Sequence, residues 1–193
     1  MTVERQDTVS NLHFLISSPK CRNVGVSGGT ITDSQAFGKV SKIVPEDIKL
    51  TSFSILFARY KGDLEEEVRG VKALEHLEEG AKILIAEGCT HHRQCDDIGT
   101  VKIPRWLKQY TGKDFDIHTS RGKSFPEDLA TYDLVIHCGG CTLNRREMKN
   151  RIARVKDEGV PIVNYGIFIA ATQGILKRTL EPFEEASRIL NEI

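Results

Sequence analysis

The sequence lacks any apolar run long enough to cross a bilayer: its longest, around Phe53 to Ala58, falls far short of the ~20 residues a membrane helix needs. It also lacks an excess of either charge. Lys plus Arg and Asp plus Glu number 27 each, so no overall basic field draws the chain to nucleic acid or to an anionic membrane. The opening Met1-Thr2-Val3-Glu4-Arg5-Gln6-Asp7 has no charged-then-apolar signal pattern, and a soluble protein of the cytoplasm is the expectation. Cysteines are few and odd in number, five in all, with four of them between residues 89 and 141. In a reducing compartment that crowding argues for metal binding over a disulfide framework.

What the chain does have is one α/β core's worth of apolar residues, 39% of 193, with room for a small appended unit. Short β-branched runs at Lys82-Ile83-Leu84-Ile85-Ala86, Phe115-Asp116-Ile117-His118, Leu134-Val135-Ile136-His137 and Pro161-Ile162-Val163-Asn164 read as buried parallel strands. Helical spacing separates them. Residues 64–77 place Leu64, Val68, Val71, Leu74 and Leu77 on one face, and residues 144–158 place Met148, Ile152 and Val155 together before Gly159 stops the helix. Right-handed crossovers then give an α/β fold with an open, mostly parallel sheet, helices on both faces, and a site at the C-terminal ends of the strands.

The chemistry gathers at those strand ends. Cys89-Thr90-His91 follows one strand, and His137-Cys138-Gly139-Gly140-Cys141 closes another. The topology brings both sets to the sheet edge where α/β proteins bind ligands. Soft thiolates that meet there bind zinc or an iron-sulfur cluster. Alone, the Cys138-Cys141 pair also fits a redox dithiol or two buried cysteines. His91 and His137 flank the thiolates as ligands or hydrogen-bond donors. Cys95 and His92 read as bystanders, and Cys21, His13, His76 and His118 have no partner pattern. Thr119-Ser120-Arg121-Gly122 and Asn164-Tyr165-Gly166, also at strand ends, are expected to support the site.

The helix after Cys141 starts with Asn144 as cap and Glu147 three positions on, a capping-box spacing, so its positive end faces the cysteines. Arg145 and Arg146 add positive charge there, or are ordinary solvated arginines. Phosphate binding is excluded at Gly122-Lys123-Ser124, because the glycine a P-loop requires falls on Ile117. Gly25-Val26-Ser27-Gly28-Gly29 has no following lysine or helix and reads as a loop.

Taken together, Glu87-Gly88-Cys89-Thr90-His91-His92, Asp96-Asp97-Ile98-Gly99, Lys102-Ile103-Pro104-Arg105-Trp106, His137-Cys138-Gly139-Gly140-Cys141 and Asn164-Tyr165-Gly166 resemble the C-terminal half of HydF, the FeFe-hydrogenase maturation GTPase family. The resemblance covers roughly residues 30–193. Within it, Ile31-Thr32-Asp33-Ser34-Gln35-Ala36-Phe37 and residues 51–62 resemble the family's dimerisation unit. The division it implies is an unassigned segment 1–29, part of a dimerisation domain over 30–60, and a cluster-binding domain over 61–193.

The resemblance implies a 4Fe-4S cluster on Cys89, Cys138 and Cys141, with His91 and His137 as further cofactor-binding residues. It implies a scaffold that carries a diiron precursor from the radical maturation enzymes to the FeFe-hydrogenase apoprotein, as a homodimer. The family's GTP-binding domain has no counterpart here, so this chain is not expected to be an enzyme, and a separate GTPase subunit is a possible partner. The alternative from the residues alone is a structural zinc site in an α/β interaction domain.

Overall fold

The computed structural model describes residues 28–88 and 97–192. Cys89, His91, His92 and Cys95, like His13 and Cys21, lie outside the described residues. None of the described helices is long and apolar enough to cross a membrane.

Two parallel sheets organise the chain. The first pairs β1 (Gly29–Thr32) with β2 (Lys49–Ser52), joined through helix α1 (Phe37–Ile43). The second holds β3 (Lys82–Glu87), β4 (Asp116–Arg121), β5 (Leu134–His137) and β6 (Ile162–Asn164), in the spatial order β4-β3-β5-β6. The four apolar runs of the sequence fall on the four strands of this second sheet, but β4, expected to be buried, lies at the edge, where of its residues only Ser120 is buried. The pairing of β1 with β2 had no such signal, because Gly29-Thr30-Ile31-Thr32 and Lys49-Leu50-Thr51-Ser52 each hold a single large apolar residue.

Alternation along the strands sorts the core into two layers. Ile83 and Ile85 of β3, with Leu134 and Ile136 of β5, face the larger layer. It is built with helices α2 (Phe53–Lys61), α3 (Leu64–Arg69), α5 (Ile103–Thr111), α7 (Tyr165–Thr172), α8 (Leu176–Leu180) and α9 (Glu184–Glu192). Leu84, Ala86 and Val135 face the smaller layer, closed by α6 (Arg145–Asp157). Helices therefore flank both faces, as the strand and helix pattern predicts. A one-residue slip of β3 or β5 would exchange the layers and set each side chain into a space packed around a different one.

The helix expected over 64–77 is broken. It runs as α3, a 3-10 turn over Gly70–Lys72, and the short helix α4 (Ala73–His76). The break has a steric cause: a Cβ on Gly70 would lie 2.0 Å from the Ile162 carbonyl oxygen, so the chain here rests directly on the β6 backbone. Leu64, Val68, Leu74 and Leu77 still reach the core.

The α6 expectation holds more closely. Asn144 Oδ1 accepts the Glu147 N–H at 2.8 Å, and Met148, Ile152 and Val155 are buried. The capping box is half made, because the Glu147 carboxylate turns to Arg151 at 2.9 Å. Gly159 ends the helix with φ of 71°.

Candidate metal centre

The strand order reverses between β3 and β5. The chain leaves β3 toward β4 on one side and leaves β5 toward β6 on the other. The carboxyl ends of β3 and β5 therefore adjoin a crevice of the kind in which open α/β sheets hold ligands. Cys138 follows β5 directly, and Gly88 follows β3 directly.

Main-chain groups join these two strand ends. The Gly88 N–H donates to Cys138 Sγ at 3.0 Å, and the Gly140 N–H donates to the same sulfur at 3.3 Å. Thr142 Oγ1 returns a bond to the Gly88 carbonyl at 3.3 Å. Amide donors aimed at a sulfur stabilise negative charge on it, and hydrogen bonds of this kind tune thiolates that bind metal. Residue 89 is the next residue along the chain from Gly88. Gly140 takes φ of 55°, which lets the loop turn back within the span from Cys138 to Cys141.

Gly88 has no space for a side chain. A Cβ there would lie 2.5 Å from Leu143 Cδ1 and 3.4 Å from Gly140 Cα. Gly139 faces α2, where Ser54 Oγ would be 3.2 Å from an added Cβ. Ser54 in turn donates to Asn164 Oδ1 at 2.8 Å, and that oxygen also accepts the Gly166 N–H at 2.7 Å.

His137 and Cys138, though adjacent, face opposite layers, as alternation along β5 requires. Cys138 packs against the larger layer. His137 is fully buried toward the smaller one, near Phe125 at a ring separation of 6.1 Å. Its Nδ1 lies 2.7 Å from the Cys138 carbonyl oxygen, and its Nε2 lies 3.4 Å from Arg151 Nη1. Because a guanidinium only donates, this network assigns the ring proton to Nδ1. Both ring nitrogens thus have partners, and one of them braces the main chain of a cysteine.

Arg151 is 1% exposed and reaches His137, Glu147 and the Gly122 carbonyl, with its guanidinium 4.9 Å over the Phe125 ring. Sequence reasoning missed it. Its signal was positional, since residue 151 falls on the same helical stripe as Met148, Ile152 and Val155. Arg145 and Arg146, expected to add charge at the cysteines, are exposed.

A cleft of about 300 Å³ adjoins Cys138 and Cys141. Phe53, Phe57, Ile98 and Ile169 supply apolar wall; Glu87, Arg121 and Tyr165 supply polar wall. Arg121 Nε pairs with Glu87 Oε2 at 2.9 Å, across directly opposed positions of β4 and β3. Thr119, Ser120 and Arg121, expected after the strand, are the end of β4 itself. A π-type turn over Ile98–Lys102 enters α5 beside this wall, and Gly99 there approaches Glu87 and Tyr165 too closely for any side chain.

Among the described residues no three His, Cys, Asp or Glu side chains group as a metal site. Cys138 and Cys141 supply two thiols, and the remaining expected ligands, Cys89 and His91, are outside those residues. A loop with two thiols, amide donors aimed at one sulfur and a neighbouring cleft has the donor chemistry a thiolate-bound cluster needs.

The hydrogen maturase F dimerization domain matches residues 25–62, and the hydrogen maturase F tetramerization domain matches residues 65–182. The two matches meet at the turn between α2 and α3. No curated protein matches the chain. The second match alone spans more than half of the 193 residues, and the chain belongs to the hydrogen maturase F family.

Proposed function

We propose that this chain is a non-enzymatic iron-sulfur scaffold of FeFe-hydrogenase maturation, with a 4Fe-4S cluster held by Cys89, Cys138 and Cys141. The observation that carries the reading is the Gly88 N–H bond to Cys138 Sγ, which ties the residue before Cys89 to the sulfur that begins the CxxC loop. A cluster bound there by three thiolates would keep one iron open to an exchangeable ligand, the property a carrier needs to accept and release a diiron precursor.

The chain's own residues do the remaining work. Gly88 and Gly140 donate to Cys138 Sγ, His137 fixes the Cys138 carbonyl, and Arg151 holds His137 in place. His137 serves in this reading as a brace, which leaves His91 as the histidine to test at the open position. The cleft beside Cys138 and Cys141 gives the cargo a partly apolar chamber. Dimerisation falls in this reading to residues 25–62, the span the dimerization domain matches, and cluster binding to the chain from residue 65 onward; residues 1–24 have no assigned role. Two oligomerization domains support a homo-oligomer. The radical maturation enzymes, the apo-hydrogenase and a separate GTPase subunit are the proposed partners, in the cytoplasm.

Anaerobic reconstitution with iron and sulfide tests this. The scaffold is expected to turn brown and to hold about four iron and four sulfide per chain, the stoichiometry of a 4Fe-4S cluster. A colourless protein with one tightly bound zinc per chain would replace the scaffold reading with a structural zinc site.

A further inference from the structure

Lys61 is the last residue of α2 and is 6% exposed. Its ammonium donates to two main-chain carbonyls of the cysteine loop, Cys141 at 3.2 Å and Leu143 at 2.8 Å. The same nitrogen lies 4.8 Å above the Phe57 ring. Among the described residues no carboxylate pairs with it. Sequestering an ammonium without a counter-charge is costly, and lysines at helix ends ordinarily reach solvent. Here the residue crosses from the segment matched by the dimerization domain to the loop that carries the thiols.

Two carbonyls and an aromatic face satisfy the geometry of the ammonium, and among the described residues none supplies a counter-charge. The loop it grips is the one that carries the two thiols proposed as cluster ligands. We infer that Lys61 is a positioning residue for the metal-binding loop, coupling the packing of α2 to the hold on the cluster. The inference rests on the scaffold reading for its cluster part; its loop part stands on the metal-free protein.

The mechanical consequence is direct. With the Cys141 and Leu143 carbonyls pinned, the loop closes on its internal Leu143 N–H to Gly140 carbonyl bond at 2.9 Å. Removing the ammonium leaves two carbonyls to find new donors and frees the second cysteine to move. In the loaded state, a positive charge beside an anionic cluster also raises its reduction potential.

The test compares wild type with Lys61→Met and Lys61→Gln, which are neutral, and Lys61→Arg, which restores charge and donors. In the metal-free proteins, hydrogen exchange of amides 139–143 is expected to rise about tenfold in both neutral variants, with β3 and β5 unchanged and the arginine variant close to wild type. After anaerobic loading, chelator-driven iron loss is expected to be about tenfold faster in the neutral variants, and their cluster potential lower. Unchanged loop exchange, or a rise shared equally by β3 and β5, would overturn the inference. If wild type takes up no iron, the cluster reading fails, while the exchange measurement still decides the role of Lys61.

Discussion

The Gly88 N–H meets Cys138 Sγ at 3.0 Å, so one main-chain amide at the end of β3 fixes a sulfur at the end of β5. A side chain on Gly88 has to displace Leu143, whose Cδ1 and Cγ would lie 2.5 and 2.8 Å from the new Cβ. Gly88→Ala is therefore expected to cost about 1–3 kcal/mol by overpacking and to lower iron retention in reconstituted protein. Urea denaturation with an iron assay reads both, and a variant with wild-type iron content would contradict the role given to this contact.

Cys138→Ser and Cys141→Ser are expected to abolish cluster loading while the far-ultraviolet circular dichroism stays that of wild type. A hydroxyl nearly matches the thiol in size but is a far poorer ligand for soft iron. The sheet needs neither sulfur, because its layers close on Ile83, Ile85, Leu134, Ile136 and their helices. Brown protein with full iron after either change would remove that cysteine from the ligand set.

Arg151→Met would leave the His137 Nε2 and the Gly122 carbonyl without their buried donor. The loss is expected to be about 3 kcal/mol, since breaking a buried charged network on one side strands its partners. Because His137 braces the Cys138 carbonyl, the cluster's electronic spectrum should change as well. A melting temperature within a degree of wild type would show that the network contributes nothing.

Glu67 gives a pH prediction. Its carboxylate is fully buried in α3, and neither oxygen has a hydrogen-bond partner among the described residues. Burial pushes its pKa well above the ordinary 4.5, with Asp63 and Glu65 adding to the rise. The folded protein thus keeps a proton that the unfolded chain gives up. Stability from this group is complete below about 4.5 and declines as pH rises through the folded value, at up to about 1.4 kcal/mol per pH unit. Glu67→Gln should remove that decline. Denaturation curves from pH 4 to 8 that run parallel for the two proteins would refute it.

Much of the second sheet was legible because β3, β5 and β6 are short, apolar and buried, which is the pattern parallel sheets impose, whereas the edge strand β4 is mostly exposed or half-buried. That the ends of β3 and β5 share one edge followed from topology, since parallel strands put all their C-terminal ends together; Cys89, expected there, lies outside the described residues. Lys61 and Ser54 were not legible. Each meets its partner across 80 or more positions, and a lysine at a helix end carries no local mark of burial. Arg151 was legible in principle from its stripe, but a charge at an apolar position is ordinarily read as solvated. The break at Gly70 depended on contact with β6, which no local pattern encodes.

The reversal of strand order between β3 and β5 has one more consequence. The two connections depart to opposite flanks, so neither crossover helix roofs the gap between them, and whatever sits at that edge is approached from above the strands. In the scaffold proposed above, cargo would enter and leave at that rim, and the tie from Lys61 of α2 to the cysteine loop would carry any change there into the larger layer.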